Sequence, residues 1–474
     1  MERASKELSL GRALDALRGA LTPEDALFLA MALILLSHEA NTERTDERGG
    51  RTAARQAWDA LMAQDFRWRD GHELASVIRS GLRTWESANG GLRELPGLVD
   101  ARGSQLAPLV DCVAAAPDLA GLFDLCLAHS LTMGRGGQYY TPVDIARLLV
   151  GLMAPRKGET VYDPVCGSGG FLLRASEFVK ANDGGDAQLA LHGQDVNRIA
   201  LQTAAMNFVI HDVAADLRGP ASSLTDDHFE DWTFDVVVAN PPFNQTGWDE
   251  GGHSRYGRRW IYGVPPAGNA NFAWAQHVIS KMSPTGRGVL LLPTGAASGT
   301  KPAERDIRAG LVEDDVLSCV IELPAGLIPH VRNPVSLWLF SRSKKPRDNW
   351  GSNDRSGQYL LIDAREMALA VGRGRRTVPD EARQRIVGTF AAWRGAQGMT
   401  SYEDVPGWCR SVSTEEISAQ KYDVLPSHYV GGAAVEATQA DGEELVARLT
   451  DELYELFDKA HRLEGELRDL LGKS

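Results

Sequence analysis

Apolar positions at helical spacing, with little sign of strand, fill the first quarter of the chain. Leu8, Leu10, Leu14 and Leu17 fall on roughly one face of a helix. Thr22-Pro23-Glu24-Asp25 then supplies a cap residue, a proline in the first turn and acids where the helix dipole favours them, which predicts a helix to about Ser37. Residues 39–52 are polar and read as a loop, while Trp58 to Gly90 and Leu119 to Leu131 read as further helices. Residues 1–132 are therefore expected to form a helical domain. From about residue 137 the period changes. Thr160-Val161-Tyr162, Leu189 to Gln194, Phe234 to Ala239, Gly288 to Leu292, Val316 to Leu323 and Val335 to Phe340 read as strands. Phe171 to Lys180, Arg198 to Phe208 and Asn271 to Met282 read as helices between them. This alternation predicts an α/β fold, a doubly wound Rossmann-like domain over residues 133–345. Strands apolar throughout, such as Val236-Val237-Val238, predict a sheet covered on both faces. Glycine-rich turns at strand ends predict a ligand crevice at the carboxyl edge.

Residues 346–432 are mixed, with turns at Gly351-Ser352-Asn353-Asp354 and Gly372-Arg373-Gly374, and read as an extension of that domain. After Gly431-Gly432, residues 433–474 carry a final amphipathic helix from Gly442 to Leu471. Leu445, Leu449, Leu453, Leu456, Ala460, Leu463, Leu467 and Leu470 form a narrow stripe suited to a partner helix, the alternative being packing onto its own domain.

Composition narrows the class. A length of 474 residues implies two or three domains, and 43% hydrophobic with 24% charged residues is ordinary for a globular protein. The apolar stretch Ala26 to Ser37 is too short to span a bilayer, and residues 1–7 lack a signal-peptide core, so a cytoplasmic protein is expected, away from membranes. Five scattered cysteines, Cys112, Cys126, Cys166, Cys319 and Cys409, have no zinc-ligand spacing and read as reduced thiols; the histidines show no metal spacing either, so no metal is expected. The net charge of −13 argues against a nucleic-acid coat but leaves room for local contact. Arg255/Arg258/Arg259, Arg342/Lys344/Lys345/Arg347 and Arg373/Arg375/Arg376 each read alone as solvated surface; their place in the second half of the chain makes them candidates for a DNA-facing side. The acidic balance suggests that much of the grip on DNA comes from a partner.

Two motifs carry chemistry. Asp163-Pro164-Val165-Cys166-Gly167-Ser168-Gly169-Gly170-Phe171 stands between a strand and a helix. Its glycines, Gly167, Gly169 and Gly170, let the backbone approach a ligand, and the helix start offers N–H groups to a carboxylate. Asp195 closes the next strand, where it suits ribose hydroxyls or caps the following helix; Asp163 suits the amino group of a cofactor. These features fit S-adenosylmethionine. Upstream, Gln138-Tyr139-Tyr140-Thr141-Pro142 reads equally as a helix start, with Asp144, or as a wall for the methionine end of that cofactor. The second motif is Asn240-Pro241-Pro242-Phe243, directly after a buried strand. The exocyclic amine of adenine is a poor nucleophile because its lone pair is delocalised. The Asn240 side-chain oxygen and the Pro241 carbonyl can accept from its N–H groups and localise that pair. Pro242 helps fix the backbone, and Phe243 offers a ring on which an extruded base can stack. A strand-ending turn is the plain alternative; the upstream glycine loop favours catalysis. Cys166 sits in the cofactor loop rather than as a nucleophile for C5 methylation, and reads as a packed residue.

With these residues in hand, the chain resembles the modification (methyltransferase) subunit of type I restriction–modification systems, an adenine-N6 DNA methyltransferase. The likeness runs over most of the chain, through Arg18-Gly19, Gly137 to Pro142, Asp163 to Phe171, Gly193-Gln194-Asp195 with Met206-Asn207, Asn240 to Phe243, and Tyr402 to Gly407. Tyr262-Gly263-Val264-Pro265-Pro266 with Gly268-Asn269-Ala270-Asn271-Phe272-Ala273-Trp274 is its most specific part. The resemblance implies cofactor contacts from Gln138, Tyr139, Tyr140, Thr141, Pro142 and Val143, from Ser168, Gly169 and Gly170, and from Asp195, where some members carry glutamate. It implies a complex of two modification subunits and one specificity subunit that reads a bipartite site in double-stranded DNA. A restriction motor subunit can join, and the final helix would dock on the specificity subunit. A protein-glutamine or RNA methyltransferase shares the Asn-Pro-Pro turn, commonly with tyrosine next; Phe243, the helical N-terminal region and the tail count against it. Intact Asp163, Gly167, Gly169, Asn240 and Phe243 count against a non-catalytic, DNA-binding scaffold.

Overall fold

The computed structural model describes residues 2–42, 52–89, 98, 100–130, 141–185, 188–249, 259–328, 331, 333–347, 350–370 and 376–431, together with 450, 454, 457 and 463. The helical region holds α1 (Glu2–Asp15), α2 (Pro23–Thr42), α3 (Ala53–Met62), α4 (Gly71–Asn89), α5 (Gly103–Ala114) and α6 (Leu119–Ser130). Helix α2 is apolar all round because it is enclosed all round: every residue from Asp25 to Ser37 is buried. The single helix expected from Trp58 to Gly90 is instead two. Ala63 is extended, a 3-10 turn at Gln64–Trp68 plugs Phe66 into the core, and Asp70 caps the next helix through Glu73 N at 2.9 Å.

Then follow α7 (Val143–Met153), β1 (Thr160–Asp163), α8 (Gly170–Asp183), β2 (Ala190–Gln194), α9 (Arg198–Ile210), β3 (Asp216–Arg218) and β4 (Phe234–Ala239). Next are α10 (Asn271–Ser280), β5 (Met282–Pro293), α11 (Gly295–Ser298), α12 (Pro302–Glu313), β6 (Leu317–Leu323) and β7 (Val335–Ser341). The mixed region supplies β8 (Gln358–Asp363), β9 (Leu369–Ala370), β10 (Arg376–Thr377), α13 (Asp380–Trp393), β11 (Cys409–Ser413) and α14 (Thr414–Ala419). The main sheet has the order β11-β8-β6-β7-β5-β4-β1-β2-β3, so β8 and β11 extend the same sheet. Strands β1 to β6 and β8 run one way; β7 and β11 run against them. The short polar strand β3 has no alternation for a sequence pattern to detect; it is an edge strand held by pairing with β2.

Successive residues feed opposite cores. Val161, Val236, Val238, Val289 and Leu291 pack on one face of the sheet, and Tyr162, Phe234, Val237, Leu290 and Leu292 on the other. The helical region is not a separate body: its core includes Met206 and Ile210 of α9. Arg174 of α8 adds ion pairs to Asp124 of α6 (3.2 Å) and Glu177 (2.6 Å). All five cysteines are free, and four are buried. The amphipathic helix expected over Gly442 to Leu471 lies almost wholly outside the described residues; Thr450, Tyr454, Phe457 and Leu463 are helical and exposed.

Ile210→Ala empties a site shared by the helical region and the sheet domain. A loss of about 2–5 kcal/mol is expected in urea unfolding. An unchanged midpoint would show that α9 does not bear on the helical core.

Candidate active site

In a doubly wound sheet a crevice opens where the winding changes direction. Here the chain moves outward from β1 through β2 to β3, then returns to lay β4 on the other side of β1. Val161 pairs with Val236 and Tyr162 with Val237, so the carboxyl ends of β1 and β4 are neighbours. Asp163 ends one and Asn240 follows the other.

The glycine turn after β1 has backbone requirements that only glycine meets easily. Gly167 and Gly169 have φ of 55° and 76°, and a Cβ on Gly169 would lie 2.5 Å from the Phe208 ring. Gly170 opens α8, and a Cβ there would meet nothing within 4 Å. Asn207 Nδ2 donates to the Ser168 carbonyl at 3.0 Å, while its Oδ1 is buried without a partner. Thr141, Val143, Gly170 and Asn207 line one small cavity.

Two carboxyls lie beneath this turn. Asp163 accepts from Val165 N at 3.0 Å, and burial pushes its pKa up to about 8. Asp195 accepts from Gly167 N at 2.9 Å and Asn197 N at 2.8 Å, and burial raises it too. Asp195 is not the cap of α9. That task falls to Asn197, whose side chain accepts from Ile199 N and Ala200 N. S-adenosylmethionine, the cofactor these motifs predict, carries an ammonium and a carboxylate at its amino-acid end, and a ribose. A buried, partnerless amide oxygen, an open helix start and two carboxyls fit such a group.

Across the switch point, Asn240 Nδ2 donates to Thr141 Oγ1 at 3.1 Å. Among the described residues nothing donates to Asn240 Oδ1 or to the Pro241 carbonyl. Phe243 is half-buried against the sheet core. The turn closes on Asn244, whose φ is 52°. Asn244 N donates to Asn271 Oδ1 at 3.0 Å, and Asn271 Nδ2 returns a bond to Asn244 Oδ1 at 2.9 Å. Asn269 braces both, accepting from Asn271 N at 3.0 Å and donating to Asn244 Oδ1 at 3.4 Å. These asparagines, and Asn207, were not singled out as site residues. The signal was the Asn-Ala-Asn spacing at the start of α10.

Of the other expected site residues, Gln138, Tyr139 and Tyr140 lie outside the described residues; Thr141, Pro142 and Val143 lead into α7, with Pro142 as its cap. The basic clusters separate. Arg255, Arg258, Arg373 and Arg375 lie outside the described residues. Arg259 is turned inward, donating to the Ser223 and Leu224 carbonyls and lying 2.8 Å from His277 Nδ1. The Arg342 to Arg347 cluster does not face the crevice. Strand β7 runs against β5, with Ser341 opposite Arg287, so the residues after it emerge at the amino edge. Lys344 is buried there on Asp315 (2.5 Å) and over the Tyr359 ring, and burial lowers its pKa to about 8. Arg376 is exposed on the small β9–β10 sheet, which follows β8 at the carboxyl edge.

This fold, with a glycine turn after β1 and Asn-Pro-Pro-Phe after β4, defines the class of methyltransferases that act on amino groups. The chain belongs to the N-6 DNA Methylase family, which matches residues 125–438. It is 35% identical over 339 residues to the methylase subunit of the type I restriction enzyme HindI of Haemophilus influenzae, covering 71% of this chain and 73% of that one. It is 31% identical over 342 residues to the MjaIX methylase subunit of Methanocaldococcus jannaschii, covering 71% of this chain but only 59% of that longer relative. The fold matches the type I restriction–modification methyltransferase subunit of Streptococcus thermophilus with a TM-score of 0.67 at 19% identity, over 90% of this chain and 99% of that one.

Asn271→Ala strands the N–H of Asn244 and leaves its side-chain oxygen only the longer bond from Asn269. A loss of about 1–3 kcal/mol is expected, with faster amide exchange confined to the segment after Phe243. Exchange unchanged from the parent would mean the asparagine pair does not hold this turn.

Proposed function

We propose that this chain is the catalytic modification subunit of a type I restriction–modification complex, methylating N6 of adenine in double-stranded DNA. The observation that carries the reading is the pair of acceptors free of any donor among the described residues, Asn240 Oδ1 and the Pro241 carbonyl, beside the glycine turn at the switch point. The residues that would hold S-adenosylmethionine are Asp163, Gly167 to Gly170, Asp195 and Asn207, with Thr141, Pro142 and Val143 at the wall and Gln138, Tyr139 and Tyr140 preceding them. When bound, that cofactor supplies an electrophilic methyl group. Asn240 and Pro241 accept from the two N–H groups of the target amine and aim its lone pair; Pro242 fixes the backbone and Phe243 stacks on the extruded base. The methylated nitrogen is briefly cationic, and the same two acceptors hold its proton until water takes it. No strong base is required.

The sequence of the target is read elsewhere. A specificity subunit and a second copy of this chain complete the complex, and a restriction motor subunit can join. Residues 1–132, the catalytic domain 133–345 with its extension 346–432, and the tail 433–474 divide scaffold, chemistry and association. The relatives named above are themselves methylase subunits of type I restriction enzymes, which supports this assembly.

Asn240→Ala is expected to abolish N6-methyladenine at one split motif in a genome-wide map while leaving cofactor affinity intact. A map matching the parent would remove Asn240 from the reaction. Asp163 gives a second test. It holds its proton at pH 7, and a cation beside it lowers its pKa. Cofactor binding at that pH therefore releases a proton. Calorimetry in buffers of different ionisation enthalpy would show it, and binding with no proton exchange would rule out Asp163 as the partner of the cofactor's amino group.

A further inference from the structure

The geometry points to Thr141 as a positioning residue for the Asn240 amide rather than only a wall of the cofactor site. This rests on the reading of Asn240 as the acceptor for the target amine. A primary amide has one acceptor oxygen and two donor hydrogens. If Oδ1 serves the target, Nδ2 needs its own partner, because an extruded base lying over the amide keeps water from that nitrogen until the product leaves. Thr141 Oγ1, 3.1 Å away, is that partner among the described residues. It comes from a segment 99 positions earlier in the chain, brought there only by the fold.

The bond also grows with the reaction. As the amine's lone pair localises, its N–H groups polarise toward Oδ1, and the amide nitrogen becomes a stronger donor to Thr141. An interaction that strengthens in the transition state accelerates transfer, whereas one equal in both states only aids binding. Thr141 is held for this task. The following Pro142 restricts its backbone and accepts from Ala146 N at 2.9 Å. Asp144, three residues on, accepts from Thr377 Oγ1 at 2.7 Å and from Val378 N at 2.9 Å. The segment is thus braced from the β9–β10 side of the carboxyl edge.

The test compares Thr141→Val, Thr141→Ser and Asn240→Ala in the assembled enzyme. Valine has nearly the shape of threonine and lacks the acceptor; serine restores it. Single-turnover methyl transfer and cofactor affinity are measured separately. Thr141→Val is expected to slow transfer roughly 10- to 100-fold, the effect of one buried donor left unpaired. Thr141→Ser should stay within about three-fold of the parent, and in Thr141→Val the rate should fall far more than cofactor affinity does, since Thr141 also walls the cofactor site. A melting midpoint equal to the parent's excludes misfolding as the cause. If Thr141→Val weakens cofactor binding in proportion to the rate, Thr141 is a cofactor contact and the proposal fails. Transfer at the parental rate in Thr141→Val, or equal loss in the serine variant, also overturns it. A parental rate in Asn240→Ala would instead overturn the reading of Asn240 itself.

Discussion

The structure turns on the reversal of winding between β1 and β4. Parallel strands must be joined by crossovers, and because these are right-handed, reversing the direction of travel along the sheet switches the face that the crossover covers. The crossovers after β1 lead toward β2 and β3, while that after β4 leads to β5. Their loops diverge above the two neighbouring strands and leave the carboxyl edge open there. Every element of the site follows from that gap. The glycine turn and the Asn-Pro-Pro-Phe turn face each other because their strands are hydrogen-bonded neighbours.

Neutral groups dominate the chemistry around the gap. Burial disfavours the charge of Asp163, and the side chain at the Asn-Pro-Pro-Phe turn is an amide. This suits a nucleophile that must be shaped rather than deprotonated. The cost of such a site is polar satisfaction, since each buried amide brings both donors and an acceptor. Asparagine answers it repeatedly. Asn207 holds the Ser168 carbonyl, Asn197 caps α9, and Asn244, Asn269 and Asn271 lock one another after the Asn-Pro-Pro-Phe turn. Ion pairs flank the gap, Arg174 on Asp124 at the cavity beside the glycine turn and, at the amino edge, Arg287 on Glu159 (2.7 Å) and Lys344 on Asp315.

Much of the fold was legible because it rests on periodicity. Phe234 to Ala239 is a strand with the bounds its run of apolar residues predicts, and α8, α9 and α10 begin at or within one residue of the predicted starts. The break between α3 and α4 was not legible, since Ala63 becomes extended only because Phe66 finds a buried place. The basic clusters misled for a related reason. A row of arginines and lysines looks alike in sequence whether it faces solvent or, like Arg259 and Lys344, turns inward onto carbonyls, a carboxylate and a ring.

The sequence by itself determined the local chemistry: which turns need glycine, where an amide and a rigid proline step follow a strand, and which runs must be buried on both faces. These depend on backbone sterics and on the period of side chains, which act over a few residues. Only the tertiary structure decided who meets whom. Thr141 reaches Asn240, Asp195 reaches Gly167, and Thr377 reaches Asp144 across long separations in the chain. Strand order sets those meetings, and strand order is chosen by the burial of the whole sheet, a sum over residues that no local pattern contains.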